Sequence, residues 1–252
     1  MLSPKRYTPE ELMAVAIARE VRDGEAVGVG ARSPIPAAAC LLAQRTHAPN
    51  ARFIILEMGE HYPLETGEYY PFTGGSSELH FLAQQGRLDL FFLSGVQIDR
   101  EGNINLHLLG EYHHPRRRFA GAYGSGLLYY MAKRVVLFRT EHSRRSLVKR
   151  VDFVTAPGVS PEGVYRPGGP SKLITPLAVL RFQRERGGWE LESFHPWTTP
   201  EEVQAHTGFS LPLAEGCGPT PAPSPQHLHL LRTTVREYLG ALKAIWACWQ
   251  NS

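Results

Sequence analysis

Glu57 follows directly on Phe53-Ile54-Ile55-Leu56, an apolar run of strand length. Strands of a parallel sheet are buried on both faces and read as such runs, and in open α/β sheets ligands bind beyond the carboxyl ends of the strands. A carboxylate at that point stands where chemistry happens, although a polar residue bonded to nearby backbone would look the same in sequence. Two glycine loops lie further on. Ser94-Gly95 breaks the apolar run Leu88–Leu93, and Gly121, Gly124 and Gly126 mark a second loop. Glycine lets backbone N–H groups come close to a ligand. Between the loops stands Arg116-Arg117-Arg118. Two glycine loops with a cationic stretch between them suit a ligand that carries both phosphate and acyl groups, since arginine matches phosphate geometry. Basic runs such as this one and Arg144–Arg150 are more often a solvated face. His113-His114 invites a metal reading, but adjacent side chains point apart and His107, Glu111 and His142 add no convincing spacing, so no metal site is expected.

The elements that must position these residues follow from the rest of the chain. Thr8-Pro9-Glu10-Glu11 predicts a helix start, with Thr8 as N-cap, Pro9 in the first position and Glu11 closing a capping box. Ala26–Gly30 is a short strand, and Pro36–Thr46, rich in Ala and Leu, a helix crossing back over the sheet. Glu60–Ser76, with many Gly, Pro and Tyr, is a long loop, and a helix begins at Ser77. Leu88–Leu93 is a buried strand, and Asp99-Arg100-Glu101-Gly102-Asn103 a tight polar turn. Leu127–Ala132 is helical, and Val135–Phe138 and Val151–Thr155 are strands. Gly163–Pro176 is a Pro/Gly-rich excursion, and Val179–Phe182 with Trp189–Phe194 forms a β-hairpin. Thr199-Pro200-Glu201-Glu202 repeats the cap pattern, and Gly216–Pro225 is a Pro-rich connector. From Leu228 to Trp249, Leu231, Val235, Leu239, Leu242, Ile245 and Trp246 recur at helical spacing, an apolar stripe that needs its own sheet or another subunit as partner. Strands alternating with helices predict an α/β architecture, a mainly parallel sheet flanked by helices, with a small hairpin and a C-terminal helix.

With 252 residues the chain is long enough for one large domain, and residues 1–252 are taken as one. A formal net charge of +3 is too slight to imply nucleic acid. No apolar run approaches the roughly 20 residues of a membrane span, and the N-terminus lacks a secretory apolar segment. Cys40, Cys217 and Cys248 are odd in number, without C-x-x-C spacing, and fit reduced cytosolic thiols. A cytoplasmic protein is expected.

The segments SGVQIDREGNIN and GEYHHPRRRFAG, from Ser94 to Gly121, resemble the beta subunit of the family I coenzyme A transferases, that of glutaconate CoA-transferase in particular. The likeness extends more weakly from about Tyr7 to about Arg236. The resemblance implies the CoA-transferase fold, acyl-CoA as substrate with no permanently bound cofactor, and an alpha-subunit partner in a heterodimer or an α2β2 heterotetramer. It assigns the family's Glu-x-Gly motif to Glu57 and Gly59, with Glu57 as nucleophile and Met58 in place of a small polar residue. Gly95, Val96 and Gln97 would line the acyl and pantetheine region; the alternative is a strand-ending turn in which Gln97 satisfies backbone groups. Gly121, Gly124 and Ser125 fall in the family's Gly-x-Gly-Gly-Ala loop, which approaches CoA and the oxyanion, with Tyr123 replacing a glycine and Ser125 the alanine. The activity implied is transfer of CoA between an acyl-CoA and a carboxylic acid through a glutamyl-CoA thioester. Two alternatives stay open: an acyl-CoA hydrolase subunit of the same fold, and a non-catalytic scaffold completing its partner's pocket.

Overall fold

Thr8 starts the first helix as its side chain dictates: Thr8 Oγ1 accepts from the Glu11 N–H at 3.2 Å, and Glu11 Oε2 accepts from the Thr8 N–H at 2.9 Å. The computed structural model describes residues 7–56, 59–61 and 76–240. In chain order the elements are α1 (Pro9–Ala18), β1 (Ala26–Val29), α2 (Pro34–Gln44), β2 (Arg52–Ile55), β3 (Gly59–His61), α3 (Ser76–Gln84) and β4 (Leu90–Leu93). There follow β5 (Gln97–Asp99), β6 (Ile104–Asn105), β7 (Leu108–Gly110), β8 (Pro115–Arg118), α4 (Ser125–Met131), β9 (Arg134–Phe138) and β10 (Leu147–Val148). The last elements are β11 (Pro170–Ile174), β12 (Ala178–Gln183), β13 (Gly188–Phe194), α5 (Pro200–His206), β14 (Leu213–Pro219) and α6 (Pro225–Leu230). A π-helical turn over Leu231–Val235 carries α6 into α7 (Arg236–Gly240).

These elements form two compact units, one of Met1–Leu79, Leu88–Phe92 and Pro221–Ser252, the other of His80–Arg87 and Leu93–Thr220. In the first unit β1 lies between β2 and β4, parallel to both, with Val27 opposite Phe53 and Leu90. The antiparallel β3 extends β2, pairing Ile54 with Glu60. All four residues of β4 are buried, as their unbroken apolar run requires. Helix α2 is buried from Ile35 to Gln44 because it is apolar on every face. Leu231, Val235 and Leu239, one helical turn apart, are buried in this same unit. Arg232 anchors the same segment: its Nε donates to Glu11 Oε1 at 2.6 Å and a second nitrogen to Oε2 at 2.9 Å. Leu242, Ile245, Trp246 and Trp249 lie outside the described residues.

In the second unit the strands run in the order β14-β13-β12-β11-β9. β9 and β11 are parallel, β12 and β13 form the expected antiparallel hairpin, and β14 returns parallel to β13. Parallel pairs thus carry most of the main sheet strands in each unit, flanked by helices, in an α/β architecture. Thr199 and Glu202 close the second predicted capping box at the start of α5. No helix among the described residues is long and apolar enough to cross a membrane.

Four expectations need correction. Val151–Thr155 is not a strand: the Val151 N–H goes to Asp99 Oδ2 and the Asp152 N–H to Gln97 Oε1, and the segment meets β6 only at its end, where the Thr155 N–H donates to Ile104 O at 2.9 Å. The Gly163–Pro176 excursion contains β11, which pairs parallel with β9 and buries Leu173 and Ile174. The Gly216–Pro225 connector begins inside β14, whose end pairs with Ser193 and Phe194 of β13. The long loop after Glu57 starts as strand β3, since β2 offers an open edge to Gly59–His61; residues 62–75 lie outside the described part.

Candidate functional site

The described site candidates all lie in the second unit, and a single hairpin organises them. Gly95 sits at the entry to β5, where a side-chain carbon would come within 2.9 Å of Gln97 O and 3.2 Å of Ile104 Cβ. Only glycine lets the chain turn this tightly onto its own hairpin. The Val96 N–H then donates to Asn105 O at 2.8 Å, and β5 pairs antiparallel with β6, Gln97 opposite Asn105. Gln97 is buried, and its Oε1 accepts from Asn105 Nδ2 at 2.8 Å and from the Asp152 N–H at 2.9 Å.

The turn between β5 and β6 is held by Asp99. Its Oδ1 accepts from the N–H groups of Glu101 and Asn103, and its Oδ2 from Asn103 Nδ2 and the Val151 N–H. Burial pushes the Asp99 carboxyl above the ordinary carboxylate range, and these hydrogen bonds pull the other way. Gly102 takes the left-handed backbone the turn needs, with φ +76°. Tyr129, fully buried, donates its hydroxyl to Gly102 O at 2.6 Å, and Trp189 Nε1 donates to Asp99 O at 2.9 Å. The polar turn is therefore a structural anchor for the strand that carries Gln97.

Asn105 joins the first glycine loop to the second. It is fully buried; Nδ2 also donates to Leu108 O at 2.6 Å, while Oδ1 accepts from the His107 N–H at 3.0 Å. The fixed segment Leu106-His107 in turn stitches the second loop: the Phe119 N–H donates to His107 O at 2.8 Å, and the Gly121 N–H to Leu106 O at 3.2 Å. Thr155 supports the same segment from outside the hairpin. Its Oγ1 accepts from the Leu106 N–H at 2.8 Å and lies 2.8 Å from His107 Nδ1. Gly95, Val96 and Gln97 are thus tied to Gly121 through Asn105, Leu106 and His107.

The second loop is built from left-handed residues. Gly121 has φ +90°, Gly124 φ +82° and, between them, Tyr123 φ +42°. A bulky side chain at such a φ costs roughly 1–2 kcal/mol. Tyr123 therefore keeps a glycine-type backbone at a position where the resembled loop has glycine, and its ring stands 78% exposed. At Gly124 the His80 imidazole fills the space that a side chain would need. The Ser125 N–H donates to Ala122 O at 2.8 Å, and Ser125 opens α4.

Arg116, Arg117 and Arg118 lie on the exposed strand β8 of a second hairpin, with β7. Arg117 packs over Phe119 at 5.2 Å, and Arg118 over Tyr112 at 5.3 Å. Arg116 reaches Asp152 only at 4.0 Å. His113 and His114 are exposed, and no group of three metal-ligating side chains gathers among the described residues. In the Arg144–Arg150 group, Arg145 pairs with Glu141 at 2.6 Å. Glu57 and Met58 lie outside the described residues. Thr155 and Phe153 carry no signal of this role in the sequence: 48 residues separate Thr155 from His107, so only the folded chain introduces them.

Known proteins are similar to this chain in sequence and in fold. Residues 58–206 match the family described as Coenzyme A transferase. The chain is 30% identical to the beta subunit of glutaconate CoA-transferase from Acidaminococcus fermentans, over 91% of this chain and 92% of that one. It is 32% identical to the beta subunit of 3-oxoadipate CoA-transferase from Pseudomonas knackmussii, over 90% and 92%. Among solved structures the decarboxylase AibA/AibB superposes with a TM-score of 0.77 at 27% identity, covering 89% of this chain and 93% of that one. With such a match over most of its length, the chain belongs to the coenzyme A transferase family, on the side of its beta subunits.

Proposed function

We propose that this protein is the catalytic beta subunit of a cytoplasmic, heteromeric CoA transferase that moves CoA between an acyl-CoA and a carboxylic acid. The observation that carries the reading is the pairing of two glycine loops through one rigid segment, Asn105-Leu106-His107, in a chain whose relatives are CoA-transferase beta subunits. Backbone N–H groups of a loop built on Gly121, Tyr123 and Gly124 are suited to a carbonyl oxygen on which negative charge develops. Gly95 and Val96 shape the entry to the same hairpin, and the Gln97 amide holds it in register.

In this reading a Glu57 carboxylate oxygen attacks the thioester carbonyl of the donor. The C–S bond breaks, CoA leaves as thiolate and an acyl-glutamyl anhydride remains. The thiolate then attacks the glutamyl carbonyl, releasing the donor's carboxylate and forming a glutamyl-CoA thioester. The acceptor acid repeats the two steps in reverse and leaves with the CoA. Each step exchanges one acyl bond for another, so the energy of the thioester is kept as long as water is excluded. The alpha subunit is the partner that completes the enzyme.

The test is trapping. The chain, reconstituted with its alpha subunit and incubated with a panel of acyl-CoAs, is treated with borohydride, which reduces enzyme-bound thioesters, and mapped by peptide mass spectrometry. Reduction of Glu57 to the alcohol is expected. Consumption of acyl-CoA with Glu57 unmodified would replace this reading by a hydrolase of the same fold, and assembly without turnover would replace it by a non-catalytic scaffold.

A further inference from the structure

We propose that His107 is a further ligand-binding residue of the second glycine loop, its Nε2–H donating a hydrogen bond to a carbonyl oxygen of an acyl-CoA beside Gly121. The inference rests on the acyl-CoA reading above and adds a side chain that lies outside both glycine loops.

The imidazole is held in every respect but one. Its backbone N–H donates to Asn105 Oδ1 at 3.0 Å, and its carbonyl accepts from the Phe119 N–H at 2.8 Å. Its ring lies 4.7 Å from the Phe153 ring, which in turn stacks on Tyr112 at 5.7 Å. Nδ1 is 2.8 Å from Thr155 Oγ1. That hydroxyl also accepts the Leu106 N–H at 2.8 Å. We assign the tautomer in which Thr155 donates to Nδ1, so that the hydroxyl proton and Nδ1 satisfy each other and the ring proton stands on Nε2.

Nε2 is the group left over. Among the described residues it has no hydrogen-bond partner, and it is the ring atom nearest to Gly121, 3.3 Å from where a Gly121 side-chain carbon would stand. With Gly121 lacking that carbon, a ligand oxygen can approach the donor across the loop. An oriented N–H with the other ring nitrogen anchored fits a carbonyl acceptor. Acyl-CoA offers two such sources, the thioester carbonyl and the amide carbonyls of the pantetheine arm.

The experiment uses the full chain labelled with ¹⁵N-histidine, in complex with its unlabelled alpha subunit, and follows the ring nitrogens during titration with acetyl-CoA and with CoA. Loss of one signal pair in His107→Gln identifies His107. A shift of its Nε2 signal, with Nδ1 little changed, is expected on binding. A shift with acetyl-CoA alone assigns the contact to the thioester carbonyl, and a shift with both ligands assigns it to the pantetheine arm. In parallel, His107→Ala should weaken acetyl-CoA binding about tenfold, the worth of one oriented hydrogen bond, with His107→Gln recovering part of the loss through its own N–H. Acetyl-CoA bound with Nε2 unmoved, or bound as tightly by His107→Ala as by the parent, would overturn the inference and leave the acyl-CoA reading standing. Failure of the complex to bind either ligand would overturn that reading, and the inference with it.

Discussion

Asn105 and Gln97 face each other across the β5–β6 hairpin, and Asn105 Nδ2 donates to Gln97 Oε1 at 2.8 Å. Gln97 passes the constraint outward to the Asp152 N–H, while Asn105 passes it forward to Leu108 and His107. One amide pair thus holds the first glycine loop, the segment beneath the second and the chain arriving from Val151. Both amide oxygens already accept two hydrogen bonds within the protein, so both residues act by holding backbone in place.

Asn105→Ala should lower the stability of the protein by about 3 kcal/mol. The substitution strands Leu108 O and two backbone N–H groups at a fully buried position, and each stranded buried group costs roughly 1–3 kcal/mol. Urea unfolding at neutral pH reads the loss directly; a change under about 1 kcal/mol would mean that water or neighbouring groups replace the amide.

Tyr123→Gly should leave stability unchanged or raise it by about 0.5 kcal/mol. It removes the left-handed strain at φ +42°, a gain partly offset by the extra backbone freedom glycine has when unfolded, while the 78% exposed ring loses little burial. On the proposed function the same change alters which acyl-CoAs are accepted, measured as kcat/KM across a chain-length series. A markedly destabilised variant would show that the ring packs on something in the assembled protein.

Acid should destabilise the second unit in a defined window. His142 bridges Thr175 Oγ1 at 2.8 Å and Thr207 Oγ1 at 2.9 Å, and His195 bridges Thr220 Oγ1 at 2.9 Å and Thr175 O at 2.8 Å. Burial lowers both imidazoles from the ordinary 6.5 to about 4, His142 with a further push from His206. The folded values lie below the unfolded ones, so as pH falls the unfolded chain takes up protons first. This stability is fully present above about pH 6.5 and is lost as pH falls through about 4, with roughly 3 kcal/mol from each imidazole. Urea unfolding at pH 7 and pH 4.5 should show the fall, and His195→Gln should flatten it; an unchanged slope in that variant would assign the acid sensitivity elsewhere.

On the proposed function, Glu57→Ala should reduce CoA transfer by about 10³-fold or more while leaving assembly with the alpha subunit intact, because the proposed covalent route would lose its nucleophile. Size-exclusion chromatography checks the assembly and a discontinuous assay the transfer. Transfer at near-parental rate would remove Glu57 from the mechanism.

Features under short-range control are legible in the chain alone. Thr8 and Thr199 cap their helices because the Glu three residues on is always within reach of the cap backbone. Leu90–Leu93 is a buried strand because no face of it tolerates water, and Ala178–Gln183 with Gly188–Phe194 closes as a hairpin across a short turn. The family likeness was legible for a related reason: the segment Ser94–Gly121 is a run of consecutive hairpins whose loops depend on local residue types.

Features in which a distant segment supplies the missing partner emerge only on folding. Val151–Thr155 has the apolar character of a strand, yet Asp99 and Gln97, some 50 positions away, take its first two N–H groups, and no ladder forms there. Pro170–Ile174 and Leu213–Pro219 lie among prolines and glycines that argue for loops, yet open strand edges on β9 and β13 recruit them. Tyr123 bends into a glycine conformation because the turns on either side of it are fixed. His107 becomes a candidate donor only when Thr155, remote in the chain, takes one ring nitrogen and leaves the other facing Gly121. In each case a backbone or side-chain group has a choice of partners, and the choice is set by which of them folding brings within about 3 Å.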